Sequence, residues 1–365
     1  MASVGVPIRD DGDDDPAVTT IDESGDLILG FQDQSSHEIW LFRVLSRCLT
    51  YRSEYFSTLL DPLKFKEGAI VSETHKTLRG QYSSFSLASN RELPHIVVSG
   101  MEHTPLDHLT REIFADYLRI LHGQGGEADL KLPSKGKPTA YLVTLAIIAD
   151  RFDCLRVVGP YLKAQRLFVA PDLRRIQKGP LNEELLRQKL LICILLDYPE
   201  YVAFFSKEII FQGSTRWTSD EISSAENLPL WWDLPKGLEA ELLYRRESLL
   251  DTVNSLQKHF LNLYTSKDRQ CKLGYDSSPQ CDSFQLGEMI RFFTRVGTLR
   301  LQGTIFDTQG PQYYPGDIKT LLKTLRQCPS YQINPNHAHC GLRTRIEPVL
   351  NVLENTPGLR VRQIK

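Results

Sequence analysis

Strand-like alternation in this chain is confined to its first hundred residues, and the long apolar segments after them repeat at the helical period. DLILGF (26–31) and EIWLFRV (38–44) read as two strands joined by the polar turn QDQSSH, a hairpin spacing. HIVVS (95–99) is a third, short and β-branched. So few strands among so many helices predict an α+β chain: a small sheet flanked by helices, followed by a mostly α-helical C-terminal region.

The helices can be placed one by one. In SRCLTYRSEYFSTLL (46–60), Leu49, Tyr55, Phe56, Leu59 and Leu60 share a face that Ser53 interrupts, and Pro62 ends the segment. Residues 66–93 are polar and Ser-rich with little periodicity, and are expected to form a long loop. Ile113, Phe114, Tyr117, Leu118 and Leu121 mark a helix that Gly123 stops. GQGGEADLKLPSKGKP (123–138) is a connector. Tyr141, Leu145, Ile148, Ala149 and Phe152 mark the next helix, and a short one comes after it with Pro160 near its first turn. Beyond about 171 helices are expected at 183–196, 199–211, 236–264, 282–296, 316–326 and 342–354. The 236–264 stripe of Leu238, Leu242, Leu249, Val253, Leu256, Phe260 and Leu263 has one gap, at Arg245. Its period, nearer 3.6 than 3.5 residues, favours packing within a domain over a coiled coil. Asp282 and Gln285 have the spacing of a capping box for the helix that Gly297 closes.

Residues 10–15 read DDGDDD within an opening almost free of apolar side chains, so 1–22 is expected to be a disordered acidic tail. The remaining boundaries fall at 23–170 for the mixed domain, 171–235 for a helical connector and 236–365 for a helical C-terminal domain. A net charge of −2 exerts no global pull on nucleic acid or acidic membranes. The basic runs LRRIQK (173–178) and RVRQIK (360–365) lack interleaved aromatics, so no nucleic acid is expected as partner. The most apolar run, LLICILL (190–196), is too short to span a bilayer, and the first residues lack a signal-peptide pattern. Seven scattered cysteines do not form a disulfide framework; reduced thiols and a cytoplasmic or nuclear location are expected. Cys48, Cys154 and Cys193 sit in apolar helical stretches as small core residues, with Cys328 a spare.

The order hairpin, helix with a proline turn, third strand, then helices is that of the BTB/POZ fold, and the wording agrees. GDLILGF (25–31) resembles the opening strand of that family. FRVLSRCLTYRSEYFSTLLDPLKFKEG (42–68) resembles its most recognisable stretch, with Ser-x-x-Phe, an apolar pair and Phe-x-Glu-Gly. FADYLRILHG (114–123) and LAIIADRFDCLRVVGPYL (145–162) are similar to the helices of fungal-type members. WWDLPKGLEAELLYRRESLLD, CDSFQLGEMIRFFTRVG and the closing HAHC are similar to the region C-terminal to the domain in such proteins. The resemblance covers about 26–168. It implies a non-enzymatic protein–protein interaction module, either self-associating or serving as an adaptor for a cullin-type ubiquitin ligase. It places partner contacts at Glu54, Tyr55, Asp116 and Tyr117, with Phe56 in the core. Two departures stand out: Leu45 follows FRV, where many animal members carry a His after the strand Phe, and residues 1–22 cannot supply the apolar helix that those members swap in a dimer. An enzyme in the C-terminal half, or a transcription-associated regulator, are the alternatives.

Catalytic motifs are not found. GQGG at 123–126 follows a helix, Gly136–Lys137 has no glycine five residues upstream, and His37–Glu38 has Leu41 where a zinc-protease motif needs His. His103 and His108 flank a loop and read as surface residues. Trp231–Trp232, between two prolines, could anchor a partner but reads better as a plug between the two halves of the chain. One set has metal-ligand character. Cys271 and Cys281 bracket the turn-rich CKLGYDSSPQC, and His337 and Cys340 of HAHC have the spacing of a knuckle. Together they would give a closed tetrahedral site for a structural Zn²⁺. The nine residues between Cys271 and Cys281 exceed the roughly two to four usual within one knuckle, and buried free cysteines beside a solvated His-rich loop are the alternative.

Overall fold

The apolar run LILGF becomes β2 (Leu27–Gln32), and nearly every side chain in it is buried, because both faces of the sheet are covered. The computed structural model describes residues 17–32, 38–99, 107–123, 139–164, 182–217, 234–235, 237–274, 276–297, 314–337 and 339–360. β1 (Val18–Thr20), β3 (Ile39–Val44) and β4 (His95–Ser99) complete a four-stranded mixed sheet in the order β1-β3-β2-β4. The β2–β3 pair is the expected antiparallel hairpin, with Leu29 opposite Phe42. β1 lies parallel to β3 and β4 parallel to β2, with Leu29 opposite Ile96.

Two expectations fail here for physical reasons. Val18–Thr20 lies inside the stretch read as acidic tail, yet it pairs with β3 and leads Ile21 into the core. Residues 66–81, read as loop, form α3 (Lys66–Gln81), which is only weakly amphipathic. Its Leu78 packs with Ile28, Ala88 and Leu93 on the opposite face of β2 from Leu27, Leu29 and Phe31, so the helix is anchored without the regular apolar stripe whose absence made the segment read as loop.

The helical stretch 46–60 divides into α1 (Ser46–Arg52) and α2 (Glu54–Leu59). Ser53 is extended between them, and its Oγ accepts from the Phe56 N–H and donates to the Phe152 carbonyl. Asp26 caps α1 from a distance, accepting from the Ser46 N–H and Oγ. Against this framework pack α4 (Asp107–Leu121), α5 (Thr139–Arg151) and α6 (Leu155–Ala164). Phe114 lies 4.1 Å from the Phe31 ring and 5.3 Å from Phe42, while Phe152 stacks on Phe56 at 5.3 Å and on Tyr117 at 5.8 Å. Burying each ring is worth about 1.5–3 kcal/mol, so this aromatic cluster holds the mixed domain together. Gly123 stops α4 in the left-handed region, as expected. α6 begins at Leu155, which puts Pro160 in its interior rather than its first turn.

The remaining helices are α7 (Glu183–Leu195), α8 (Pro199–Gln212), α9 (Leu238–Thr265), α10 (Ser278–Val296), α11 (Ile318–Arg326) and α12 (Leu342–Glu354). The described residues fall into two units. The first holds the sheet, α1–α6 and residues 187–198; the second holds 182–186, 199–217 and everything described from 234 onward. Of the expected connector 171–235, the described residues are divided between the two units. Within the second unit α9 packs on α8 and α10, and α11 packs on α8 and α12. Among the described residues no helix is long and apolar enough to cross a membrane.

Candidate metal centre

Four side chains from three stretches of the second unit meet at one point. Cys271 lies in the segment between α9 and α10, and Cys281 in the first turn of α10. His337 closes a short 3₁₀ turn (Pro335–His337), and Cys340 stands two residues before α12. Their ligand atoms all lie within 4.8 Å of one another. Cys271 Sγ is 3.3 Å from His337 Nδ1, and Cys340 Sγ is 3.7 Å from Cys271 Sγ and 3.8 Å from His337 Nδ1. Metal–sulfur bonds of about 2.3 Å and metal–nitrogen bonds of about 2.0 Å at tetrahedral angles require edges of about 3.8 Å between sulfurs and 3.6 Å from sulfur to nitrogen. The three separations among Cys271, His337 and Cys340 lie within about 0.3 Å of these edges, and Cys281 Sγ is within 4.8 Å of the other three ligand atoms. The structure brings together all four residues singled out in the sequence; neighbouring His339 is exposed and stands outside the cluster.

The support around the ligands was not legible in the sequence. Ser277, at the N-cap position of α10, makes no side-chain cap; its Oγ is instead 3.0 Å from His337 Nε2. That partner leaves Nδ1 facing the sulfurs, the arrangement a ligating imidazole needs. The Ser278 hydroxyl lies 3.3 Å from Cys271 Sγ. Asp282, expected to cap α10 with Gln285, lies inside the helix and accepts from the Gln270 and Cys271 N–H groups, while Gln285 donates to the Tyr331 carbonyl. The capping box is thus corrected: local helix chemistry gives way to holding the loop that carries Cys271. Tyr264 Oη donates to the Cys340 carbonyl and steadies the other loop.

Electrostatics point the same way. Burial, with the Cys340 and Cys271 sulfurs beside it, pushes the Cys281 thiol up to about 12. Burial also works against ionising Cys271, but hydrogen bonds from Ser278, the Leu273 N–H and the adjacent thiols outweigh it and bring its pKa below the usual thiol range. Three sulfurs this close resist ionising together, and a divalent cation at their centre removes that penalty.

The first unit carries a different feature. A groove of about 730 Å³ is lined by Glu54, Tyr55, Leu59, Phe65, Glu67, Arg151 and Asp153 among others. Glu54 is exposed and Tyr55 half-buried at its edge, while Phe56 is buried beneath. The other two expected contact residues are not at the surface. Asp116 is buried and accepts from Tyr141 Oη and Arg119 Nη1. Tyr117 is fully buried against Cys154, because Asp116 and Tyr117 both sit on the inner face of α4. Cys154, Cys193 and Cys328 are buried, whereas Cys48 is only half-buried. His103 and Trp231–Trp232 lie outside the described residues, as does the side chain of His108.

Comparison of the chain with protein-family models, curated proteins and solved structures finds no match in any of the three.

Proposed function

We propose that the second unit is built around a structural Zn²⁺ held by Cys271, Cys281, His337 and Cys340. The observation that carries this is the convergence of three sulfurs and one imidazole nitrogen, all within 4.8 Å of one another, on a largely buried point. Thiolate and imidazole donors select Zn²⁺ among common divalent ions. All four positions are taken by the protein, which fits a structural ion and leaves no open position for substrate. Cobalt substitution tests it. Co²⁺ added to metal-free full-length chain is expected to give the intense visible absorption of a tetrahedral thiolate site, displaced by Zn²⁺. A weak octahedral spectrum would contradict the reading.

The first unit supports a second, compatible reading, a non-enzymatic BTB/POZ-like interaction domain acting as adaptor or scaffold. The groove favours it: it is peptide-sized, with Phe65 46% exposed at its wall and both acidic (Glu54, Asp153) and basic (Arg151) side chains along its lining. The cullin-type ligase scaffold that the resemblance implies is the partner to test, with Tyr55→Ala and Phe65→Ala expected to abolish its capture by the full chain. Capture unchanged in both variants would remove the groove from the account.

A further inference from the structure

We infer that the metal centre is a peroxide-sensitive release switch whose working pair is Cys340 and Cys271; this rests on the zinc reading above. The four ligands are unequally shielded. Cys271, Cys281 and His337 are buried and Cys340 is half-buried, which makes Cys340 the ligand residue with most access to solvent and, in the proposed switch, the one that a small oxidant reaches first. Cysteine oxidation follows thiolate character and exposure, and metal coordination keeps the sulfur in its thiolate form.

The resolving partner is set by position. Cys271 Sγ lies 3.7 Å from Cys340 Sγ, and a disulfide needs about 2.05 Å, an approach of less than 2 Å. Both residues sit on irregular segments outside the helices, Cys271 tied through its N–H to Asp282, and Cys340 through its N–H to the His337 carbonyl and its carbonyl to Tyr264. Cys281 is held in the first turn of α10, its N–H bonded to the Ser277 carbonyl.

The steps balance. The Cys340 thiolate attacks one oxygen of a hydroperoxide such as H₂O₂; an S–O bond forms, the O–O bond breaks and hydroxide leaves. The Cys271 thiolate then attacks the Cys340 sulfur of the sulfenic acid; an S–S bond forms, the S–O bond breaks and a second hydroxide leaves. Two electrons pass from the two sulfurs to the peroxide. The ion, left with Cys281 and His337, departs as Zn²⁺, and a disulfide takes over the clasp between the two segments.

The test uses full-length chain whose zinc content is measured first. Hydrogen peroxide is added stepwise with a chromophoric zinc chelator present, and the products are mapped by alkylation and peptide mass spectrometry. The expected result is release of about one zinc per chain, in step with a Cys271–Cys340 link, and recovery on adding dithiothreitol with Zn²⁺. Brief exposure in the presence of dimedone is expected to label Cys340 before Cys271 or Cys281. Zinc retained while the half-buried Cys48 becomes oxidised would overturn the inference and leave the zinc site standing. Release accompanied by a disulfide to Cys281, or by sulfinic acid without a disulfide, would overturn it too. A chain that holds no zinc before peroxide is added defeats the underlying reading, and the inference with it.

Discussion

Gly68, the third residue of α3, sits so close to the turn before it that an added Cβ would lie 2.5 Å from the backbone carbonyl of Asp61. Gly80, on the same helix, has open space around it. Gly68→Ala is therefore expected to destabilise the chain by about 1–3 kcal/mol, and Gly80→Ala to stabilise it by about 0.5–1 kcal/mol. Denaturant midpoints of the two full-length variants check the pair; equal effects would mean that the close approach does not matter. The Phe-x-Glu-Gly wording was legible in the sequence, but the reason for its glycine was not, since the obstructing atoms belong to a turn whose path sequence does not reveal. His122 gives a second residue-scale prediction. Its Nε2 accepts from the Leu45 N–H and its Nδ1 donates to the Leu118 carbonyl, so the half-buried ring is neutral, and burial lowers its pKa from the usual 6.5. The unfolded chain then binds a proton that the folded one refuses. The stability contributed is full above about pH 6.5 and is lost as pH falls towards the lowered folded value. His122→Gln is expected to flatten that loss in urea melts between pH 7.5 and 5.5, and an unchanged slope would assign the loss to other groups.

At the scale of elements, α9 shows both what periodicity reveals and what it hides. The leucine stripe from Leu238 to Phe260 was readable, and so was Arg245 as its gap: that side chain is half-exposed and pairs with Glu241 at 2.7 Å. The adjacent Arg246 was missed. It is fully buried, and its guanidinium donates to the carbonyls of Ile210 and Phe211 at the end of α8 and of Tyr314 and Gly316 before α11. A charged residue reads as surface in a sequence, and its acceptors here come from positions 35 to 70 residues away. Arg246→Met is expected to cost on the order of 3 kcal/mol, because it strands buried carbonyls, while Arg245→Met costs less than about 1 kcal/mol. Equal losses in thermal unfolding would contradict this assignment. The misread α3 and capping box share one cause: tertiary partners, Ile28 for Leu78 and the Cys271 loop for Asp282, override local pattern.

For the whole molecule, the boundary expected near 170 can be tested by truncation. Residues 187–198 belong with the sheet-containing unit, and Leu196 Cδ2 would lie 3.7 Å from a Cβ placed on Gly159 of α6. A fragment ending at 198 is expected to unfold cooperatively at higher denaturant than one ending at 170; equal midpoints would restore the boundary near 170. The candidate ligands were legible because cysteine and histidine announce their chemistry, although 55 residues lie between Cys281 and His337 and only the fold joins them. Whether they hold an ion is the central question, and metal content answers it most directly. Full-length chain purified without added zinc, analysed by inductively coupled plasma mass spectrometry beside Cys281→Ser and Cys340→Ser, is predicted to carry about one zinc per chain in the wild type and far less in both variants. Folded wild-type chain with no zinc, or zinc undiminished in both variants, would contradict the account.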